Sequence, residues 1–239
     1  MKTMPRPHGR AAAICHLLRN PRGFEAKIFT FLLNISVFYH AGTHPTKFYF
    51  PIFDTMIFID THCHVSDEAF SGEEEAYIAR AREAGVDLML LPDIDSSERP
   101  AMFALVDKHP DTLRPMIGLY PGSVGEGWKA EVDDMVRFLD RWEAETRRKV
   151  VAVGEIGLDY HEGKEFAREQ KEALEWQLDF AARRGLPVNI HLRDAMGDFL
   201  EIIRRHKGLR GNMHAYSGSI ESFRELQRHH PAGGFFHIP

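Results

Sequence analysis

The stretch Met56–His64, MIFIDTHCH, decides how the rest of the chain is read. A short apolar run leads into Asp60, and two histidines come next, one residue apart. In an extended strand alternate side chains share a face, so His62 and His64 are expected together, with Cys63 pointing the other way. The chain beyond His64 repeats a strand-then-helix alternation. Helices are expected at Glu73–Ala84, Glu98–Lys108, from about Glu165 to Arg184, Ala195–His206 and Ser219–His230. Between the second and third of these, Val132, Met135, Val136, Leu139 and Trp142 recur at three- and four-residue spacing, the mark of another helix with one buried face. Strands are expected at Val86–Leu91, Leu113–Leu119, Val150–Glu155, Pro187–His191, Gly211–Ala215 and Gly234–Ile238.

Short strands alternating with longer helices mean an α/β protein built from parallel βα units. No glycine-rich phosphate loop comes after the first strand, so the pattern predicts a (β/α)8 TIM-barrel type rather than a doubly wound sheet. Such a barrel takes about 250 residues, and 184 are present from Met56 onward. The barrel is therefore expected to be incomplete, with about seven strands present and the eighth βα unit missing. Its first and last strands are then expected to be open edges.

Residues 1–55 differ in texture. They hold seven Lys/Arg against two Asp/Glu, whereas 56–239 hold 23 against 33, so a +5 stretch precedes a −10 body. Prolines fall at Pro5, Pro7, Pro21, Pro45 and Pro51, and the one apolar run, Ile28–Tyr39, is too short to cross a bilayer as a helix. A basic stretch before a short apolar run has the layout of a signal peptide, but this run starts late and no small-x-small cleavage site comes cleanly after it. Residues 1–55 read instead as an N-terminal extension, unstructured or joined by a misplaced start codon. Met56, directly before the first strand, favours the second version. A chain starting at Met56 is expected to keep the metal content and melting behaviour of the whole.

The two cysteines, Cys15 and Cys63, rule out a disulfide framework and suit a reducing compartment, the cytoplasm. The acidic balance argues against binding nucleic acid through a broad basic face. No membrane segment and no obligate protein partner is evident. The chemistry gathers at strand ends: His62 and His64 on the first strand, Glu155 on the fourth, His191 on the fifth and His214 on the sixth. Barrel active sites are built at the C-terminal ends of strands. Each of these residues alone has a bland reading as a solvated or hydrogen-bonded strand end. Together, four imidazoles and a carboxylate form a metal-type donor set that suits Zn, Mn, Ni or Fe better than Ca. Histidines in the extension and at helix ends (His109, His206, His229, His230) do not belong to that set. Arg193, two residues beyond His191, is the candidate phosphate contact, against the plain alternative of an ion pair with Asp194 or another carboxylate. His161, just past Glu155, is a candidate second layer around the site.

Four motifs, IDTHCH at 59–64, GEIGLDYH at 154–161, HLRDA at 191–195 and HAYSG at 214–218, resemble the TatD family of metal-dependent hydrolases in order and spacing. The resemblance implies a (β/α)8 barrel, a pair of divalent cations (Mg, Mn or Zn) and hydrolysis of DNA phosphodiesters, typically as a 3′-5′ exonuclease on single strands or 3′ ends. It implies that His62, His64 and Glu155 hold one cation and that Glu155, as the catalytic carboxylate, bridges to a second held by His191 and His214. Two departures stand out. Tyr120, in GLYPG, occupies the place of a family histidine and can donate a hydrogen bond or stack on a base, but cannot shuttle a proton near neutral pH. The family's aspartate on the eighth strand has no counterpart, and Asp159, expected in the loop after the fourth strand, is no obvious substitute. Weak or absent DNA hydrolysis by the 239-residue chain is therefore the expectation. Three readings stay open: a TatD-like deoxyribonuclease, an amidohydrolase-type enzyme acting on a small ester, lactone or amide, and a non-catalytic remnant.

Overall fold

Strand β4, Val153–Asp159, is buried along its whole length and forms the edge from which the larger of two sheets is built. The computed structural model describes residues 58–229 and 236–237. The extension 1–55 and the start of the expected first strand lie outside the described residues. In chain order the elements are β1 (Phe58–Asp60), α1 (Glu74–Glu83), β2 (Val86–Leu91), α2 (Arg99–Lys108), β3 (Leu113–Pro115), α3 (Trp128–Thr146), β4, α4 (Ala167–Arg184), β5 (Val188–Arg193), α5 (Met196–Ile203), β6 (Gly211–Met213), α6 (Ile220–His229) and β7 (Phe236–His237). The strands form two sheets, ordered β1-β2-β3 and β4-β5-β6-β7. The pairs β2·β3, β4·β5, β5·β6 and β6·β7 are all parallel.

Strands adjacent in sequence are adjacent in the sheets, the winding of a (β/α) barrel and not of a sheet whose order reverses midway. A single bridge between Ile117 and Val153 carries the order on from the first sheet to the second. The expected strand Leu113–Leu119 is shortened to three residues. Beyond it the Met116 N–H still donates to the Leu91 carbonyl of β2 at 2.7 Å, while the other edge of the segment bonds the stretch before β4, where the Val151 N–H donates to the Pro115 carbonyl and the Ile117 N–H to the Ala152 carbonyl. The first strand is also shorter than read. It ends at Asp60, whose carboxylate accepts the His62 N–H at 3.1 Å, a turn in which a side chain replaces a ladder bond.

The chain divides into two units, residues 1–59 with 67–87, and residues 60–66 with 88–239. In the described part of the first, α1 buries Tyr77, Ile78 and Ala81, and the Tyr77 ring meets Phe70 edge-on at 4.7 Å. In the second, α3 buries Val132, Met135, Leu139 and Trp142, the face its spacing predicts. Leu119, Val124, Trp128, Val132 and Ala173 form one cluster against Trp176. Helix α4 stops at Gly185, which takes the left-handed conformation (φ 66°) that glycine adopts at least cost.

Candidate metal centre

Two strands run past the residues expected to end them. β4 continues from Glu155 to Asp159 and β5 from His191 to Arg193, because the two strands stay paired through Gly157↔His191, Leu158↔Leu192 and Asp159↔Arg193. Glu155, Gly157 and Asp159 thus alternate on one face of β4. Gly157 is required where it stands: a Cβ there would lie 1.8 Å from the His191 carbonyl oxygen. Its absence lets the strand that carries Glu155 and the strand that carries His191 approach.

The four histidines meet around Glu155, which is 2% exposed. Its two oxygens divide them. Oε2 lies 3.3 Å from His62 Nε2 and 3.2 Å from His64 Nε2, which are 3.0 Å from each other. Oε1 lies 2.6 Å from His214 Nε2 and 2.9 Å from His191 Nδ1, which are 3.3 Å apart. The His62 and His214 rings stack across the division, 3.8 Å between centroids and 13° from parallel. Burial alone would push the Glu155 carboxyl up. The neighbouring His62 and His214, with hydrogen bonds from His191 and His214, outweigh it and hold the group well below its usual range. Burial would likewise lower His191, but its hydrogen bonds to Asp159 and Glu155 raise it to about 9.

Several residues that position this cluster do not announce themselves in the sequence. Asp159 is the last residue of β4, fully buried, and not part of a loop. Its Oδ2 is 2.9 Å from His191 Nε2, and its Oδ1 accepts from the His161 and Glu162 N–H groups at 2.8 and 3.0 Å. Its spacing of four from Glu155 on one strand is the signal that could have found it. Asn189, fully buried, places Oδ1 3.0 Å from His62 Nδ1. Gln170 and Gln177, seven apart and therefore on one face of α4, are both buried. Gln170 clamps both the N–H and the carbonyl of Asp159, at 2.8 and 3.0 Å. Gln177 does the same to Leu119 at 2.7 and 3.2 Å, beside Tyr120.

The remaining candidates lie around this cluster. The Tyr120 ring meets His191 edge-on at 5.1 Å. Burial, with Glu155 and Asp159 nearby, pushes its phenol above the ordinary value, so it stays a neutral donor. Arg193 pairs with Glu162 at 3.1 Å rather than with Asp194. The His161 imidazole is half exposed and faces Asp194 at 3.4 Å, so it is the backbone N–H of His161, not the ring, that reaches the cluster through Asp159. Cys63, between the two histidines, is buried.

The donor set fits divalent cations. A cation held at about 2.0–2.2 Å by imidazole and carboxylate leaves neighbouring donors roughly 3 Å apart. The ligand atoms of His62, His64 and Glu155, and those of Glu155, His191 and His214, all lie within 4.8 Å of one another.

The family model described as TatD related DNase matches residues 59–236. An Escherichia coli K12 protein named as the uncharacterized metal-dependent hydrolase YjjV is 37% identical over 166 residues, 69% of this chain and 62% of its own length. A Dickeya dadantii protein named as the 3′-5′ ssDNA/RNA exonuclease TatD is 31% identical over 144 residues, 60% of this chain and 52% of its own. The crystal structure of E. coli YjjV, described as a TatD homolog, aligns with a TM-score of 0.64 at 32% identity, over 75% of this chain and 66% of that one. The chain thus spans between about half and two thirds of the length of these relatives.

Proposed function

The chain belongs to the TatD-related DNase family, and from that footing we propose that it is a divalent-metal-dependent hydrolase of nucleic-acid phosphodiesters, working on single-stranded DNA from the 3′ end. The observation that carries this reading is the division of labour at Glu155, one oxygen toward each pair of histidines. His62 and His64 would hold one cation with Oε2, and His191 and His214 a second with Oε1. Paired divalent ions supply Lewis-acid stabilisation of the charge that develops on a phosphodiester and make water acidic enough to attack it at neutral pH.

This chain's own side chains supply the rest. Asp159 holds the His191 ring by Nε2 and so aims Nδ1 inward. Tyr120 keeps its proton and can donate to a phosphate oxygen or present its ring to a terminal base. The planar fork of Arg193 grips phosphate oxygens once substrate competes with Glu162, and His161 and Asp194 line the approach. Such local contacts are needed because residues 56–239 carry a formal −10 and draw no polyanion from a distance. The domain that does this corresponds to 56–239, with 1–55 outside it. Low cysteine usage suits a reducing, cytoplasmic setting, and among the described residues no helix is long and apolar enough to cross a membrane.

The test is a 5′-labelled single-stranded oligonucleotide incubated with the protein and Mg²⁺, Mn²⁺ or Zn²⁺ in turn. The expected result is weak stepwise shortening from the 3′ end, in line with the weak hydrolysis expected of this chain, and abolished by chelation and by Glu155→Ala. Cleavage of small esters, lactones or amides without any action on DNA would overturn the phosphodiester reading in favour of an amidohydrolase-type activity. Absence of hydrolysis from both classes, with ions bound, would leave the chain a metal-binding protein and not an enzyme.

A further inference from the structure

Asn189 and Asn212 hold the same relative place on neighbouring strands. Each stands two residues before a histidine of the cluster, in Asn189-Ile190-His191 and Asn212-Met213-His214, and the two are paired in register. Asn189 is fully buried. Its Nδ2 donates to Asn212 Oδ1 at 2.9 Å, which fixes the amide so that its Oδ1 faces His62 Nδ1 at 3.0 Å. An amide oxygen only accepts. A neutral His62 ring in that contact must carry its hydrogen on Nδ1, leaving the Nε2 lone pair open toward Glu155 Oε2 and His64 Nε2.

Two further observations describe how the amide pair is seated. Asn189 is seated where nothing but glycine fits opposite: a Cβ on Gly154 would lie 2.6 Å from the Asn189 Cβ. The Asn212 Nδ2 atom is buried without a hydrogen-bond partner among the described residues, a desolvation cost that accompanies the turn of its Oδ1 toward Asn189. His191 shows the opposite arrangement, held at Nε2 by Asp159 with Nδ1 turned to Glu155. The two rings therefore use different nitrogens toward the same carboxylate, each chosen by the acceptor behind it.

We propose that Asn189, backed by Asn212, is a positioning residue that selects the Nδ1–H tautomer of His62 and so reserves its Nε2 for a divalent cation. The second clause rests on the metal-dependent reading of the site; the first does not. Neutral histidine in water favours the Nε2–H form, which would set a hydrogen where the cation is to bind. The amide pair reverses that preference, a task that the orienting partners of metal-ligating histidines commonly perform.

The test uses the full chain with ¹⁵N-labelled histidine, the His62 ring signals being assigned with His62→Gln. In metal-free protein with the His62 ring neutral, wild type is expected to show Nδ1 protonated. Asn189→Leu, close in shape but without an acceptor, should move His62 largely to Nε2–H. Asn189→Asp keeps the acceptor and should keep Nδ1–H, and Asn212→Asp, which keeps the oxygen that orients Asn189, should do the same. Zinc titration by calorimetry, with no substrate present, should show a loss of about 10- to 100-fold in affinity at one of two sites in Asn189→Leu, restored by Asn189→Asp. A wild-type His62 protonated at Nε2, as when both amides are turned the other way, overturns the proposal. So does an Asn189→Leu protein that keeps Nδ1–H. If Asn189→Leu does not fold, Asn189→Asp and Asn212→Asp decide it, since either one shifting His62 to Nε2–H also overturns it. An unchanged zinc titration beside the expected tautomers overturns the cation clause. A protein with the expected tautomers and zinc affinities that leaves DNA intact supports the relay while refuting the nuclease reading.

Discussion

Replacing Asp159 by asparagine changes one atom, and the surroundings of that residue predict a large effect. Asp159 Oδ1 accepts from two backbone N–H groups, those of His161 and Glu162, while Oδ2 faces His191 Nε2. An asparagine must choose which end meets the backbone. Turning its NH₂ toward those two N–H groups would leave both donors unsatisfied, at about 1–3 kcal/mol each, so roughly 2–6 kcal/mol in total. The oxygen therefore stays with the backbone, and Nδ2 donates to His191 Nε2. The single hydrogen of the neutral His191 ring is then forced onto Nδ1, the atom 2.9 Å from Glu155 Oε1 and the one a cation needs. The variant is a tautomer trap, related in logic to the Asp→Asn change in a serine-protease triad. Losing such an orienting partner costs about 10- to 100-fold in metal affinity, and Asp159→Asn should lie at the weak end or beyond, below Asp159→Ala, which imposes no tautomer. Zinc or manganese calorimetry on the three proteins, with histidine ¹⁵N shifts as the structural readout, gives the comparison. An asparagine variant that binds two ions as tightly as wild type, or more tightly than the alanine variant, would refute the reasoning.

Neighbouring contacts carry further expectations. Glu155→Ala should remove more bound metal than His161→Ala, because among the described residues only Glu155 offers an oxygen to each histidine pair; equal losses by metal analysis would sink the bridging role. Arg193→Ala should raise KM for single-stranded DNA at least about 10-fold, the worth of a hydrogen bond to a charged group, with little change in kcat, whereas Glu162→Gln should lower KM by releasing Arg193; identical KM values across the three would remove Arg193 from substrate binding. Arg99 is fully buried against Asp93 at 2.7 Å and Asp134 at 3.0 Å. Arg99→Met strands the Asp93 carboxylate and should cost about 3–5 kcal/mol in urea denaturation. The double change Asp93→Leu with Arg99→Met should cost less, about 1–3 kcal/mol, because what remains is mainly the unsatisfied Gly118 N–H.

The alternation of units was legible because it is local. Spacing of three and four along α3 marks its buried face, and the start of α2 and both ends of β2 lie within a residue of where composition puts them. That His62, His64, Glu155, His191 and His214 would meet was legible because histidine and glutamate near strand ends are conspicuous residue types. The lengths of the strands other than β2 were not legible. Whether β4 stops at Glu155 or runs to Asp159 depends on pairing with β5 more than thirty residues away, and whether β1 reaches His64 depends on a single Asp60 side chain taking the place of a ladder bond. The buried glutamines were invisible for a related reason. In sequence Gln170 and Gln177 look like the solvated side of α4, and only the backbone of Asp159 and Leu119 makes them interior.

The same dependence on pairing explains why the site is compact. β5 and β6 align Asn189 with Asn212, so His191 and His214 each fall two positions further along, on the same face and at the same height. β4 has an irregular register between Val153 and Ile156, and beyond it Gly157 lies opposite His191. Glu155 is thereby brought level with the two imidazoles, and Asp159 sits beyond them, in reach of His191 Nε2. A one-residue slip of β5 would turn His191 and Asn189 to the opposite face together. That would remove one ligand from the second group and the tautomer control from the first in a single step. Four histidines and one carboxylate could be gathered in many ways. What favours the metal-site reading of this gathering is that the partners behind the rings, Asp159 and Asn189, are aligned by the same register as the candidate ligands in front.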